Sequence, residues 1–438
     1  MLFKPHTQAQ EDVIFSDKPI VIAATGIQWG KTMSGVMWLK MMIHKHPESK
    51  NNFIITSPSF PILTQSTLPP FLAAMKGLGH FDKKNNCFIM YQGPTIWFRT
   101  GVNPDSAVGI TDVKGILCDE AGLYSLYFWE VIQGRASFLE APIRIVTSPY
   151  SLNWLYKDYI RPYRKGNKAI MDECLLVQKT SKDNPYFPEK EYERKKRTMD
   201  PRRFNMQYGG QFDKMEGLVY DCFDEDENIC LPKELPAGTR FFGGIDWGYN
   251  DPFVLLVRAI TPEGRHYQVF EHYKSGHTIA SMLEVALRAR KIFPIELFYA
   301  DPSRPEYIME FNKNHLTCIG ANNEIRLGLD KFYELIQTRR FKIFSACGRY
   351  TINEMETYHY PEYKEVNTNA DQKDKLPVKQ HDHTMDVNRY ITIATFDINV
   401  IKSTHIRSSI IKSARQEVRT QDYLTDILKE RPKGVESW

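Results

Sequence analysis

Four short apolar runs in the first half of the chain each end in polar residues: PIVIAAT (19–25), NFIITSPS (52–59), KGILCDEA (114–121) and IRIVTSPY (143–150). Apolar runs of this length without alternation predict strands buried on both faces, as in a parallel sheet covered by helices. Behind the first run, MSGVMWLKMMI sets Val36, Leu39, Met42 and Ile43 at helical spacing. In a doubly wound sheet of this kind ligands bind beyond the carboxyl ends of the strands, so the four polar tails are expected to converge. A second pattern opens near residue 240: RFFGGIDWG, FVLLVRAIT, a turn at PEGR, HYQVFEHYK, a helix through IASMLEVALRARKIF, then IELFYADP. Between the two patterns, 183–226 mixes turn residues, a charged helix-like stretch and glycine. The expected division is therefore 1–212, with a linker or lid at about 180–212, and 213–438, with a tail from about 400.

Between the first strand and its helix stands ATGIQWGKT (24–32), nearly the phosphate-loop pattern G-x-x-x-x-G-K-[ST]. Thr25 replaces the first glycine, while Gly30, Lys31 and Thr32 stand as the pattern requires. Backbone N–H groups from Gly26 through Gln28 to Lys31 are expected to wrap phosphates at the helix start, with Gly26 supplying the tight turn. Lys31 would reach the terminal phosphates of ATP and Thr32 would place a hydroxyl on Mg²⁺. Asp119 and Glu120 close the third run, as the acidic motif of a nucleotide hydrolase does: Asp119 to hold Mg²⁺, Glu120 to orient and deprotonate the attacking water. The TSP at 147–149 is placed to sense the terminal phosphate, and is also an ordinary turn sequence. Upstream, Gln8 and Gln10 in PHTQAQ offer amides for an adenine edge, with Gln8 preferred on spacing. Arg135 in QGRAS is either a cation for the transition state or a packing arginine. The first half thus reads as a P-loop NTPase.

Three strands, a helix and a fourth strand in the second half suggest a ribonuclease-H-like core. Asp246 falls on its first strand, Asp301 at the end of its fourth, and Asp386 in HDHTMDVNRYITIATF, a predicted helix facing them. Converging carboxylates repel one another unless cations join them, which suits two Mg²⁺ or Mn²⁺ ions about 3.5–4 Å apart. Asp382, at i−4 from Asp386, is either a fourth ligand or a helix cap. His381 and His383 read as supporting or surface residues.

Composition changes little. The 438 residues carry a formal charge of +4, too small to demand a nucleic-acid partner, although ERKKRTMDPRR (193–203) concentrates basic groups. Seven cysteines include no C-x-x-C pair, so neither a zinc site nor a disulfide framework is indicated and a reduced, intracellular chain is expected. No apolar signal region opens the chain, and no apolar stretch approaches the ~20 residues that span a bilayer. No membrane role is expected.

Taken together, PHTQAQ, ATGIQWGKT, ILCDEA, DNPYFP, YGGQF with GLVYDCF, GGIDWGYNDP, ADPSRPE and HDHTMDVNRY resemble, in order, the motifs of the large terminase subunit of tailed bacteriophages. The resemblance reaches to about residue 400. It implies an N-terminal ATPase that drives double-stranded DNA into a procapsid and a C-terminal nuclease that cuts concatemeric DNA. It also implies portal and small-subunit partners, a ring of copies during packaging with a monomer in solution, and a place in the host cytoplasm, transiently at the portal vertex. Relatives often carry a basic residue inside the loop, where this chain has Ile27 and Gln28, so an arginine must come from Arg135 or from a neighbouring subunit. Two other readings remain: a helicase-type ATPase whose second half only binds DNA, and a structural portal-docking protein with decayed sites.

Overall fold

The computed structural model describes residues 5–214, 217–361 and 376–396; the tail from about 400 lies outside the described residues. The chain divides into two compact units, Met1–Glu216 and Gly217–Trp438.

The first unit is built on eight strands: β1 (Ile20–Thr25), β2 (Asn52–Ser57), β3 (Gly79–Asp82), β4 (Cys87–Met90), β5 (Thr95–Thr100), β6 (Val113–Asp119), β7 (Ile143–Thr147) and β8 (Cys174–Lys179). Their order is β3-β4-β5-β2-β6-β7-β1-β8. From β5 to β8 every pairing is parallel, and β4 and β3 extend the β5 edge antiparallel. β1, β2, β6 and β7, the four runs with polar tails, are consecutive neighbours, so their carboxyl ends lie along one rim. Val21, Ala23, Phe53, Ile55, Leu117 and Val146 face Val36, Leu39 and Ile43 of the helix Lys31–Lys45. The alternate residues Ile22, Ile54, Ile116 and Ile145 are buried as well, which is why these strands read as unbroken apolar runs.

The second unit holds β9 (Ile229–Cys230), β10 (Arg240–Asp246), β11 (Phe253–Ile260), β12 (His266–Lys274), β13 (Ile295–Ala300), β14 (Cys318–Gly320) and β15 (Phe341–Phe344), in the order β14-β13-β10-β11-β12-β15-β9. β10, β11 and β12 are antiparallel, and β13 runs parallel to β10. On one face, Ile245, Leu255 and Val257 pack with Met282, Val285, Ala286 and Ala289 of the helix Ile279–Ile292. The other face carries the helix His383–Thr395, whose Val387 and Ile391 close over Gly244. Arg258 of β11 pins this helix from within: its guanidinium donates to the Thr392 hydroxyl at 2.6 Å and to the Asn388 side-chain oxygen, and burial pushes its pKa down to about 9. The fold is thus a doubly wound NTPase-type sheet followed by a ribonuclease-H-like sheet. Among the described residues no helix is long and apolar enough to cross a membrane.

Candidate active sites

In the first unit β1 ends on the buried Thr25 and the chain turns through 26–30 into the helix Lys31–Lys45. Gly30 takes the N-cap position with φ 99° and no side chain caps the helix, so its first N–H groups stay available to an anion. Gly26 does not make the turn that was expected of it. Positive φ belongs to Gln28 (58°) and Gly30, whereas Gly26 is needed for close approach: a Cβ there would come within 2.4–2.5 Å of Ser181 and the Tyr208 carbonyl. The loop is seated on the segments around 179–184 and 207–208. The N–H of Gly26 donates to Lys179 O (2.9 Å) and that of Ile27 to Gln207 O (2.7 Å). Ser181 Oγ donates to Ile27 O (2.7 Å) and Asn184 Nδ2 to Gln28 O (2.6 Å). The expected phosphate wrap from Gly26 onward is therefore narrower, because its first two donors are committed to protein carbonyls.

Across the rim, Asp119 is fully buried at the end of β6. Its Oδ1 accepts from Thr32 Oγ1 at 3.0 Å and its Oδ2 from Thr67 Oγ1 at 2.7 Å. Burial, joined by the charge of Glu120, pushes its pKa up to about 6 against the pull of Thr67, Lys31 and Thr32. Glu120 follows in the left-handed region, φ 51°, a strain of about 1–3 kcal/mol for a residue with a side chain. Three contacts hold it there: its N–H donates to Val146 O (2.7 Å), Oε2 accepts from the Ser148 N–H (3.1 Å), and Oε1 lies 3.2 Å from Lys31 Nζ. Lys31 Nζ also donates to Ser148 Oγ at 3.0 Å, so Ser148 ties the loop lysine to the acidic motif.

Two expected members are not brought to this cluster. Gln8 is exposed and its amide donates to Asp12 (3.0 Å). Gln10, buried on the same helix Gln8–Phe15, is the one that meets the loop, donating to Trp29 O at 3.2 Å. Arg135 donates to the Val108 carbonyl; among the described residues no contact links it to Lys31, Asp119 or Glu120.

In the second unit Asp246 closes β10, and the Asp301 N–H donates to Ile245 O at 3.0 Å, placing Asp301 just past β13 beside it. The helix carrying Asp386 packs on β10, β11 and β13. All three charges act on the Tyr390 phenol, which burial first of all, then Asp386, Asp246 and Asp301, drive far above its usual range. Each of two carboxylates has an internal cation. His383 Nδ1 lies 2.9 Å from Asp246 Oδ2, and the Arg389 guanidinium donates to Asp386. Burial alone would lower His383; the bond and charge of Asp246, with Glu354 and Asp382, lift it to about 9. Burial raises Asp246 in turn, against the pull of His383. Asp382 occupies the N-cap position of the helix, yet its side chain makes no capping bond, which removes the capping alternative. Burial and the charges of Asp386 and Asp246 push it up to about 6, and its Oδ2 is buried with no hydrogen-bond partner.

A ready-made ion cage is not present: among the described residues no three His, Cys, Asp or Glu side chains stand together in metal-ligating geometry. His383 lies against Asp246 and Arg389 against Asp386, so two of the carboxylates each have a basic side chain beside them. The donor chemistry still suits a hard divalent cation, since the groups that face one another are carboxylates and one of them has an unpartnered buried oxygen.

Solved structures similar to this chain include phage large terminases. One from a thermophilic bacteriophage, in complex with ADP, is 20% identical, covering 90% of this chain and 100% of that one, at a TM-score of 0.43. The HK97 bacteriophage large terminase is 11% identical, covering 90% and 95%, at 0.44, and the P22 large terminase nuclease domain 17% identical, covering 41% and 94%, at 0.35. All lie below a TM-score of 0.5. No family model and no curated protein matches the chain.

Several partners had no signal in the sequence. Thr67 lies outside every motif, in the π-helical turn Leu63–Thr67, and only the fold brings it to Asp119. Arg389 was findable, at i+3 from Asp386 on one helical face. Glu354, which reaches the Asp386 helix at Thr384 from another element, was not.

Proposed function

We propose that the chain is a DNA-packaging enzyme of the large-terminase kind, whose first unit hydrolyses ATP to drive double-stranded DNA into a procapsid and whose second unit cuts the DNA. The observation that carries this reading is the rim cluster in which Lys31 joins Ser148 and Glu120 while Thr32 joins Asp119, with every member at a strand end or at the helix start. Lys31 would hold the terminal phosphates, Glu120 would orient and deprotonate water, and Thr32 with Asp119 would hold Mg²⁺, which when bound offsets phosphate charge. Gln10 seats the loop on this reading: its amide oxygen accepts from the His6 N–H (2.8 Å) and its nitrogen donates to Trp29 O (3.2 Å). In the second unit Asp246, Asp301, Asp386 and Asp382 would hold two Mg²⁺ or Mn²⁺ ions, which when bound supply the activated water and stabilise the leaving oxygen. Portal, small subunit and further copies of the chain in a ring, in the host cytoplasm, are the partners and setting this reading entails.

One preparation tests it. DNA-stimulated ATP hydrolysis should vanish in Lys31→Ala and fall ~10²–10⁴-fold in Glu120→Gln, as for a lost general base. Asp301→Asn should stop Mn²⁺-dependent cleavage and leave hydrolysis intact. DNA-stimulated hydrolysis without any cleavage by the wild type would favour the helicase-type alternative, and neither activity would leave a structural protein.

A further inference from the structure

The helix that carries Asp386 is capped from outside. Its own N-cap residue is Asp382, and an aspartate there ordinarily turns its carboxylate onto the N–H of the second or third helical residue. The second is Thr384. Its N–H donates instead to Glu354 Oε2 at 2.7 Å, and its hydroxyl donates to the same oxygen. Glu354 belongs to another element, the short helix Arg349–Met355, and is 2% exposed. The cost of placing a carboxylate there is plain, since burial pushes its pKa up to about 8, and a local aspartate already stood in position to cap. The short helix is seated by the same device one tier lower: Glu271 of β12 accepts from the N–H groups of Tyr350 and Thr351, both at 2.9 Å, and from the Thr351 hydroxyl at 2.7 Å. Two carboxylates, the half-buried Glu271 and the buried Glu354, thus tie β12 to the start of the helix His383–Thr395.

The consequence falls on Asp382. Relieved of capping, it keeps one carboxylate oxygen buried without a hydrogen-bond partner, within reach of the charges of Asp386 and Asp246. We propose that Glu354 is a positioning residue for the acidic cluster: by capping the helix at Thr384 it releases the Asp382 carboxylate to serve as a further ligand for a hard divalent cation. This rests on the nuclease reading of the second unit. Without Glu354, the free Thr384 N–H would draw Asp382 back into the ordinary capping bond and out of the cluster.

A double-mutant cycle on the full chain tests this, with Mn²⁺ binding followed by electron paramagnetic resonance in the absence of nucleotide, beside cleavage rates and melting midpoints. Glu354→Ala and Asp382→Asn should each weaken Mn²⁺ binding about tenfold, the lower end for losing a group that supports a metal ligand. The double variant should bind no worse than Asp382→Asn alone, because Asp382 has already left the cluster in Glu354→Ala. Losses that multiply in the double variant, or a lowered melting midpoint with wild-type Mn²⁺ affinity in Glu354→Ala, would overturn the proposal. Should Glu354→Ala not fold, Glu354→Leu, which fills the same space and offers the Thr384 N–H no acceptor, carries the same cycle. Asp246→Asn separates the two levels. If it leaves Mn²⁺ binding intact the nuclease reading itself falls; if it abolishes binding while the Glu354 variants bind normally, only the positioning role falls.

Discussion

Asp119 shows what a single residue can and cannot disclose. Its place at the end of an apolar run was legible, because a strand buried on both faces leaves its first polar residue on the rim. Its environment was not, since the hydroxyls of Thr32 and Thr67 reach it from other elements. The same limit misdirected the choice between Gln8 and Gln10: two residues on a helix differ by about 200° in direction, and only the docked helix says which amide meets Trp29. The buried environment of Asp119 has a measurable sign. Its pKa rises from 3.8 unfolded to about 6 folded, so between these values the folded state holds the extra proton and stability is lost as pH rises through that window. Denaturant midpoints of the nucleotide-free chain should fall from about pH 4 to about pH 6, and Asp119→Asn should flatten that slope. Equal slopes in the wild type and the variant would remove burial as the cause.

At the scale of elements, long and doubly buried patterns were readable and short ones were not. β1, β2, β6 and β7, and later β10 to β13, follow their apolar runs almost residue for residue. β9 and β14, with two and three residues, are too short to carry any periodicity, and they join the sheet because neighbours offer open edges. The phosphate loop was legible as strand, glycines and helix, but not its seat: what lies against Gly26 comes from Ser181 and Tyr208, far along the chain. That seat predicts an asymmetry between two glycines. Gly26→Ala drives a methyl into backbone at 2.4–2.5 Å and should cost about 1–3 kcal/mol, with ATP binding weakened alongside, as the loop lifts from its support. Gly134→Ala, on the helix Leu126–Ala136 with nothing within 4 Å of the new methyl, should be neutral or stabilise by up to about 1 kcal/mol. Thermal melts of the two variants distinguish them, and equal midpoints would mean that the loop is not held at Gly26.

At the scale of the whole molecule, a formal charge of +4 over 438 residues says little, because what a polyanion meets is the local arrangement. The helix Glu189–Thr198 has no fully buried residue and packs through the partly buried Tyr192, set edge-on to Phe204, while its cations are not equivalent. Arg194 is spent on Glu191, with two hydrogen bonds of 2.8 and 2.7 Å, and Lys195 leans on the same carboxylate at 4.0 Å. Lys196 and Arg197 are exposed, as is Arg202 on the next helix, Pro201–Gln207, and among the described residues none of these three has an ion pair. The run was visible in the sequence, but which of its charges remain uncommitted was not, because that depends on the i, i+3 pairing a helix imposes. If these three neutralise phosphates, duplex DNA affinity should fall steeply with salt, each contact adding about 0.9 to the slope of log affinity against log salt. Replacing Lys196, Arg197 and Arg202 together by alanine should lower that slope by about 2.7 and weaken binding evenly across sequences, whereas Arg194→Ala should change it little. Titrations of one duplex from low to moderate salt decide the matter: an unchanged slope in the triple variant would place the DNA contacts elsewhere on the chain.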